Sequence, residues 1–365
     1  MRLLICAGGT GGGVYPALAV LQAIKGEVEY LWIGGEGGME TGLVERSGIP
    51  FKAIPAAGIH GIGLLSLPRN MWRILRGYFA SRRILREFHP DVLFFTGGYV
   101  AFPMALAGWK VPSLLYVPDI EPGLAISILA RFADRIAITA EESIGFFTHP
   151  ERITLTGYPT RTNLTKKNRA SSRRILNLTD ESPVLLVSGG SKGSRSINEA
   201  VMANLPDLVE MAQVIHITGK LDWSRVAEKM KDLSKVQSSR YHVFPYLHEE
   251  MGVALSASDL ALSRAGASIL GEYPLYGLPV ILVPYPYAWH YQKVNADYLV
   301  RHGAAVMLED ANLIDQILPT VKDLLCQPEK MASMRLAMQS LSHPDAAAEI
   351  GRQLLALGKL EEMRR

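Results

Sequence analysis

The sequence predicts an α/β protein made of two Rossmann-like, doubly wound parallel-sheet domains facing a cleft. Three observations carry this. Short apolar runs alternate with helix-like stretches along the 365 residues, most of those runs are apolar nearly throughout, and the rhythm restarts near the middle. Strands covered on both faces lose the in–out alternation of a half-exposed sheet, and strand–helix alternation marks βαβ units. The length suffices for two domains with separate cores.

In the first half, RLLICA (2–7), VEYLWIG (28–34), FKAIPA (51–56), VLFFTGG (92–98), SLLYV (113–117) and RIAITA (135–140) read as strands. In the second, PVLLVSGG (183–190), QVIHITG (213–219), YHVFPY (241–246), LALSRAG (260–266) and PVILVPYP (279–286) repeat the pattern. The polar, turn-rich segment 157–174 lacks periodicity and divides the chain into domains of 1–160 and 161–365.

The first strand of each half runs into a glycine loop, GGTGGG at 8–13 and GGSKGS at 189–194. Ligands of doubly wound sheets sit off the carboxyl ends of strands, where helix N-termini point. A tight crossover turn alone needs one glycine, whereas five stand between Gly8 and Gly13, interrupted only by Thr10. That excess favours close approach of a ligand to the backbone. Neither loop matches the P-loop or the dinucleotide fingerprint, which argues against NTP hydrolysis and nicotinamide chemistry. Backbone N–H groups and a helix dipole remain, suited to a diphosphate or a developing oxyanion. Ser191, Lys192 and Ser194 complete a diphosphate cradle without a metal.

Further on, the small-residue turn Ala265 to Ser268 opens a helix carrying Glu272, and Gly277-Leu278-Pro279 closes it. Glu272 can complement the helix dipole, or accept two ribose hydroxyls of a nucleotide lying on the same helix start. Gln292 and Asn295 share a face at i, i+3 spacing and could bind sugar hydroxyls.

A net charge of +3 is too small to argue for nucleic acid, and none is expected as a partner. Cys6 and Cys326 form neither a disulfide framework nor a metal motif, which suits a reducing cytoplasm. The N-terminus does not read as a signal peptide, and no apolar run approaches the ~18 residues that span a bilayer. Residues 59–88 carry six arginines against the single acid Glu87, interleaved with Trp72, Phe79 and several leucines. This reads either as a core helix with a solvated basic face or as a helix lying in an anionic membrane interface. The aromatic and leucine content favours the membrane.

As a set, GGTGG, GGYVAFP (97–103), GYPTRT (157–162), GGSKGSRSIN, RAGASILGE, YGLPVILVPYP and QKVNA resemble the MurG-like family 28 glycosyltransferases. These are the N-acetylglucosaminyltransferases of peptidoglycan synthesis, grouped with plastid galactolipid synthases. The resemblance runs in order over most of the chain and is densest in its C-terminal half. It implies the GT-B arrangement, with an N-terminal acceptor and membrane domain and a C-terminal UDP-sugar domain. The last helix would pack back on the N-terminal domain. The sugar would be transferred with inversion and with no metal or other cofactor.

Position by position, the resemblance implies that Thr10, Gly11 and Gly12 approach the donor diphosphate and the acceptor. Arg161 and Ser191, with Lys192 and Gly193 beside Ser191, would hold the nucleotide. Leu247 would offer backbone to uracil. Ala267, Ser268, Ile269, Leu270 and Gly271 would cradle phosphate and ribose, with Glu272 on the ribose hydroxyls. Gln292, and Asn295 with it, would contact N-acetylglucosamine.

Two departures fall on the acceptor side. Gly13 stands where the family has histidine, and Tyr116 to Asp119 (YVPD) stand where it has H-E-Q-N. A placed base contributes about 10²–10⁴ in rate, so its loss needs an answer. Asp119 or Glu121 could serve as base, with Asp119 also touching substrate and His60 contacting phosphate or headgroup. Alternatively the acceptor differs, or the chain binds nucleotide sugar without turnover. The main reading is transfer from UDP-N-acetylglucosamine to an undecaprenyl-diphosphate-linked muramyl pentapeptide, lipid I to lipid II, at the cytoplasmic face of the plasma membrane. A UDP-N-acetylglucosamine epimerase would share the architecture but need no acceptor.

Overall fold

The computed structural model describes residues 1–8, 11–38, 40–58, 67–162, 164–178, 181–190, 193–287 and 290–364. These divide into two compact units, one of Met1–Arg161 with His343–Arg365 and one of Thr162–Ser342.

The first unit holds strands β1 (Arg2–Cys6), β2 (Glu29–Gly35), β3 (Phe51–Ile54), β4 (Val92–Phe95), β5 (Ser113–Val117), β6 (Arg135–Ile138) and β7 (Ile153–Leu155). They form one parallel sheet in the order β3-β2-β1-β4-β5-β6-β7. The second unit holds β8 (Val184–Ser188), β9 (Gln213–Ile217), β10 (Tyr241–Phe244), β11 (Leu260–Ser263), β12 (Val280–Leu282) and β13 (Ala305–Met307). These are also parallel throughout, in the order β10-β9-β8-β11-β12-β13.

The sheets are buried on both faces, which is why their strands read as unbroken apolar runs. Leu3, Leu4, Ile5 and Cys6 are all fully buried in succession, as are Val184 to Val187. Helices supply the covering layers. In the first unit the helix Ala346–Arg364 lies on the helix Gly11–Ala23 and against β4 and β5, with Ile350 and Leu354 fully buried.

Three elements differ from the sequence reading. β7 and β13 are edge strands of three residues, too short to show a pattern. The segment 157–174, read as aperiodic, contains the start of the helix Arg169–Ile175. Asn168 caps it, its Oδ1 accepting from Ser171 N–H at 3.1 Å. The helix is tied down by Arg173, 2% exposed, whose Nη2 donates to Asp259 Oδ2 at 2.7 Å. A buried ion pair between distant chain segments leaves no trace in local periodicity.

A polar network crosses the second core. His216 is fully buried, with Nε2 2.9 Å from Asn198 Oδ1 and Nδ1 2.7 Å from Tyr241 Oη. Asn198 Nδ2 donates to Thr218 O and Asp222 Oδ2, both at 3.0 Å, which fixes its Oδ1 toward the imidazole. His216 therefore carries its proton on Nε2, and Nδ1 accepts from Tyr241. Burial pushes its pKa down from the ordinary 6.5 to about 3. The unfolded chain takes up a proton below pH 6.5 that the folded chain refuses, so stability falls as the pH drops through that window. Between pH 6.5 and 4.5 His216 should cost about 2 kcal/mol. Denaturant titrations of wild type and His216→Gln at both pH values should differ by that amount in their pH dependence. Equal dependence in both would refute the assignment.

Candidate functional site

The topology fixes where a site can form. β1 lies between β2 and β4, and β8 between β9 and β11, so the strand order reverses at β1/β4 and at β8/β11. Crevices open off the carboxyl ends of strands at such reversals. The glycine loops following β1 and β8 stand at these two points, each at the start of a helix.

In the first unit, Gly8 follows β1 and the pair Gly97-Gly98 follows β4. Both members of the pair have positive φ, +107 and +86. A Cβ on Gly98 would lie 2.5 Å from the Gly8 carbonyl oxygen, so the two backbones are in near contact. The helix Gly11–Ala23 begins beside them and is pinned by Thr96, whose Oγ1 donates to Gly13 O at 2.8 Å. A Cβ at position 13 would lie 3.0 Å from Thr96 O and 3.3 Å from Thr96 Oγ1. A side chain at position 13 would therefore be tight against Thr96, just after β4. From the same helix, the Tyr15 ring supports the Arg161 guanidinium at 5.2 Å.

Next to β4, the loop after β5 carries Asp119 and Glu121, both half-buried. Its carbonyls are held by hydroxyls. Thr139 Oγ1 lies 3.0 Å from Val117 O and 2.9 Å from Pro118 O, and Ser143 Oγ donates to Ile120 O at 2.8 Å. Thr139 directs its one hydrogen to those carbonyls, so the fully buried Tyr116 donates its own to Thr139, Oη to Oγ1, at 2.8 Å. Burial first, then Tyr158 and Asp119, push the Tyr116 phenol well above its ordinary range. Tyr116, near the end of this strand, keeps its proton and braces the loop. Burial, and after it the Glu40 charge, also push the Cys6 thiol up, which makes Cys6 inert.

In the second unit, the loop after β8 turns through Gly190 and Gly193, with φ of +83 and +80. A Cβ on Gly189 would overlap Ser194 N, and one on Gly193 would overlap Thr218 O. Packing of the loop itself therefore requires glycine at 189 and 193. After β11, the N–H groups of Ile269, Leu270 and Gly271 donate to the carbonyls of Gly266, Ala267 and Ser268. Those three expected cradle donors therefore serve the turn itself. Glu272 lies in the first turn of the helix Ile269–Tyr276 and is half-buried. Leu247, in the loop after β10, is buried.

Gln292 is half-buried and its Oε1 accepts from Tyr285 N–H at 2.9 Å, so what it can offer a sugar is its amide NH₂. Asn295 is a correction. It is fully buried, and its Nδ2 donates to Ala265 O at 3.2 Å, anchoring the small-residue turn from beneath instead of sharing an open face with Gln292.

The expected residues thus assemble on two carboxyl edges. Gly11, Gly12, Asp119, Glu121 and Arg161 belong to the first unit, and Gly193, Leu247, residues 267–272 and Gln292 to the second. Thr10, His60, Ser191 and Lys192 lie outside the described residues. Sequence reasoning missed Arg264, whose Nη1 donates to Val283 O at 3.1 Å and to Asp310 Oδ1 at 2.5 Å. Its Nη2 donates to Ser196 Oγ at 2.6 Å, joining three loops around the β8/β11 crevice. It also missed Thr96, Thr139 and Glu40. Arg264 could have been noticed as the one charge within SRAGAS. The others signal nothing until the strands are paired.

Two family models match the chain: the glycosyltransferase family 28 N-terminal domain over residues 3–138 and the family 28 C-terminal domain over residues 184–350. A protein of Roseiflexus is 37% identical over 96% of this chain and 93% of its own length. One from Listeria monocytogenes is 36% identical over 98% of this chain and all of its own. Both are named UDP-N-acetylglucosamine--N-acetylmuramyl-(pentapeptide) pyrophosphoryl-undecaprenol N-acetylglucosamine transferase. The crystal structure of Acinetobacter baumannii MurG superposes with a TM-score of 0.75 at 25% identity, covering 97% of this chain and 99% of that one. A UDP-GlcNAc 2-epimerase from Neisseria meningitidis, 15% identical with a TM-score of 0.68 over 98% of this chain and all of that one, shares the fold.

Two glycine substitutions separate backbone strain from crowding. Gly190→Ala meets only the positive φ, since nothing lies within 4 Å of the added carbon, and should cost about 1–2 kcal/mol. Gly98→Ala meets the strain and the Gly8 carbonyl together and should cost about 3 kcal/mol or more. Chemical denaturation of both variants checks this. Equal losses would mean that the Gly8–Gly98 contact excludes nothing.

Proposed function

The chain belongs to glycosyltransferase family 28, and on that premise we propose that it transfers N-acetylglucosamine, with inversion, from UDP-N-acetylglucosamine to a muramyl pentapeptide carried on undecaprenyl diphosphate. The observation that carries this reading is the 36–37% identity, over nearly the full length, to relatives named for that reaction.

In this reading an acceptor hydroxyl oxygen attacks the anomeric carbon of the donor sugar. The new glycosidic bond forms as the bond to the β-phosphate oxygen breaks, and the electron pair leaves with UDP. Negative charge building on UDP would meet the helix starts behind Gly193 and Ser268, an electrostatic role that needs no metal. Lys192 and Ser191 belong to the same group, Glu272 would take the ribose hydroxyls, and the Gln292 amide would meet the sugar.

The hydroxyl proton needs an acceptor. Gly13 has no side chain to take it and Tyr116 keeps its own proton, which leaves Asp119 and Glu121 on the braced loop after β5. UDP release from UDP-N-acetylglucosamine should require lipid I, and release without any acceptor would sink the transferase reading. Of Asp119→Asn and Glu121→Gln, the one that removes the base should lower kcat about 10²–10⁴-fold with UDP affinity retained. The other should stay within about tenfold. If both remain active, the proton goes elsewhere.

The lipid-linked acceptor calls for a membrane surface, and the helix Leu67–Phe88 supports one. Met71, Trp72, Leu75 and Phe79 are exposed along it, Trp72 and Phe79 by 61% and 60%, among Arg69, Arg73, Arg76, Arg82, Arg83 and Arg86. Among the described residues, no helix is long and apolar enough to cross a membrane. The reading is peripheral attachment to anionic lipid at the cytoplasmic face through residues 59–88, of which 59–66 lie outside the described residues. The protein should float with anionic vesicles at low salt and be released by high salt, each arginine contributing about 1 kcal/mol. Trp72→Ala with Phe79→Ala should weaken flotation at every salt concentration, and unchanged flotation would remove this helix from the interface.

A further inference from the structure

Glu40 is a carboxyl group with 1% exposure that none of the roles above uses. It precedes the short helix Thr41–Glu45, a position from which an acid commonly caps its own helix, yet its side chain makes no such bond. It turns back beneath the carboxyl ends of β1 and β2, where Gly35 N–H donates to Oε1 at 2.8 Å, one partner among others.

The space it fills exists because three residues have no Cβ. A Cβ on Gly8 or on Gly38 would overlap Oε1, and one on Gly34 would lie 2.9 Å from it. Gly8 begins the first glycine-rich loop, so the carboxyl group lies directly against the backbone that leads into the β1/β4 crevice. Burying a carboxyl group is costly unless it is held by hydrogen bonds, and a group so held specifies one geometry for its surroundings. An apolar side chain of similar size would fill the volume but could not accept the Gly35 N–H.

We propose that Glu40 is the positioning residue of the first glycine-rich loop, holding Gly8 against Gly98 so that the loop receives the lipid-linked diphosphate acceptor. The inference rests on the transferase reading, with the acceptor on the first unit. Glu40 meets no substrate and acts through the loop backbone.

Transfer kinetics with UDP-N-acetylglucosamine and lipid I in anionic vesicles, alongside UDP binding, test it. Wild type is assayed first, since failure there belongs to the transferase reading and not to Glu40. Glu40→Ala should lower kcat/KM for lipid I at least tenfold while UDP affinity stays within twofold, because in the transferase reading uracil and ribose are contacted by Leu247 and Glu272 of the second unit. Glu40→Gln keeps the shape and the Oε1 acceptor and should restore most of the loss. Gly38→Ala pushes directly on the Glu40 carboxyl group and should reproduce the alanine phenotype, which keeps the test decisive if Glu40→Ala does not fold. Equal loss in Glu40→Gln and Glu40→Ala would overturn the proposal. So would a lowered melting temperature with unchanged kcat/KM in the folded protein, or wild-type kinetics in Gly38→Ala.

Discussion

At the end of the first sheet, two neighbouring strands must release their chains into the same few ångströms. The Gly8 carbonyl and the Gly98 α-carbon occupy that space together, and the contact dictates what surrounds it. With no side chain on either residue, the helix Gly11–Ala23 can start close enough to β4 for Thr96 to bond Gly13 O. The start of that helix, with its outward N–H groups, is thereby aimed over the crevice. In the second sheet glycine permits a different crowding, Gly189 against Ser194 of its own loop and Gly193 against the Thr218 carbonyl that follows β9. A doubly wound sheet places a site at its reversal only if the backbones there can crowd together, and glycine permits that crowding.

The two departures on the acceptor side make sense together. Gly13 brings no side chain to the crevice, and a Cβ there would press on Thr96. The strand that would have carried the second histidine carries Tyr116 instead, whose phenol joins Thr139 beneath the loop. Thr139 and Ser143 then hold three loop carbonyls, those of Val117, Pro118 and Ile120, and Asp119 rides between them.

Eleven of the strands were legible because burial on both faces leaves a run with no polar interruption, as in Leu3 to Cys6 and Val184 to Val187. β7 and β13 were not, since three residues at a sheet edge carry no period. The glycine loops were legible as places, less so as reasons. Excess glycine in the first loop was read as room for a ligand, and two of those glycines also make room for protein groups, Gly8 for Glu40 and Gly13 for Thr96. Helical spacing put Asn295 on a face with Gln292 but carries no information about depth, and Asn295 lies at the bottom. Glu40 and Thr139 were invisible because their partners come from other strands and become neighbours only through the strand order.

The helix Ala346–Arg364 has a consequence for how the chain is made. Because it belongs to the first unit, residues 162–342 are an insertion within that unit, contiguous in sequence and complete in themselves. A ribosome delivers the amino-terminal half first, but the covering of β4, β5 and the helix Gly11–Ala23 by Ile350 and Leu354 arrives last. Domains otherwise tend to fold in the order of their synthesis. Here the half begun first is finished second, and its apolar sheet face waits uncovered until the whole insertion has emerged.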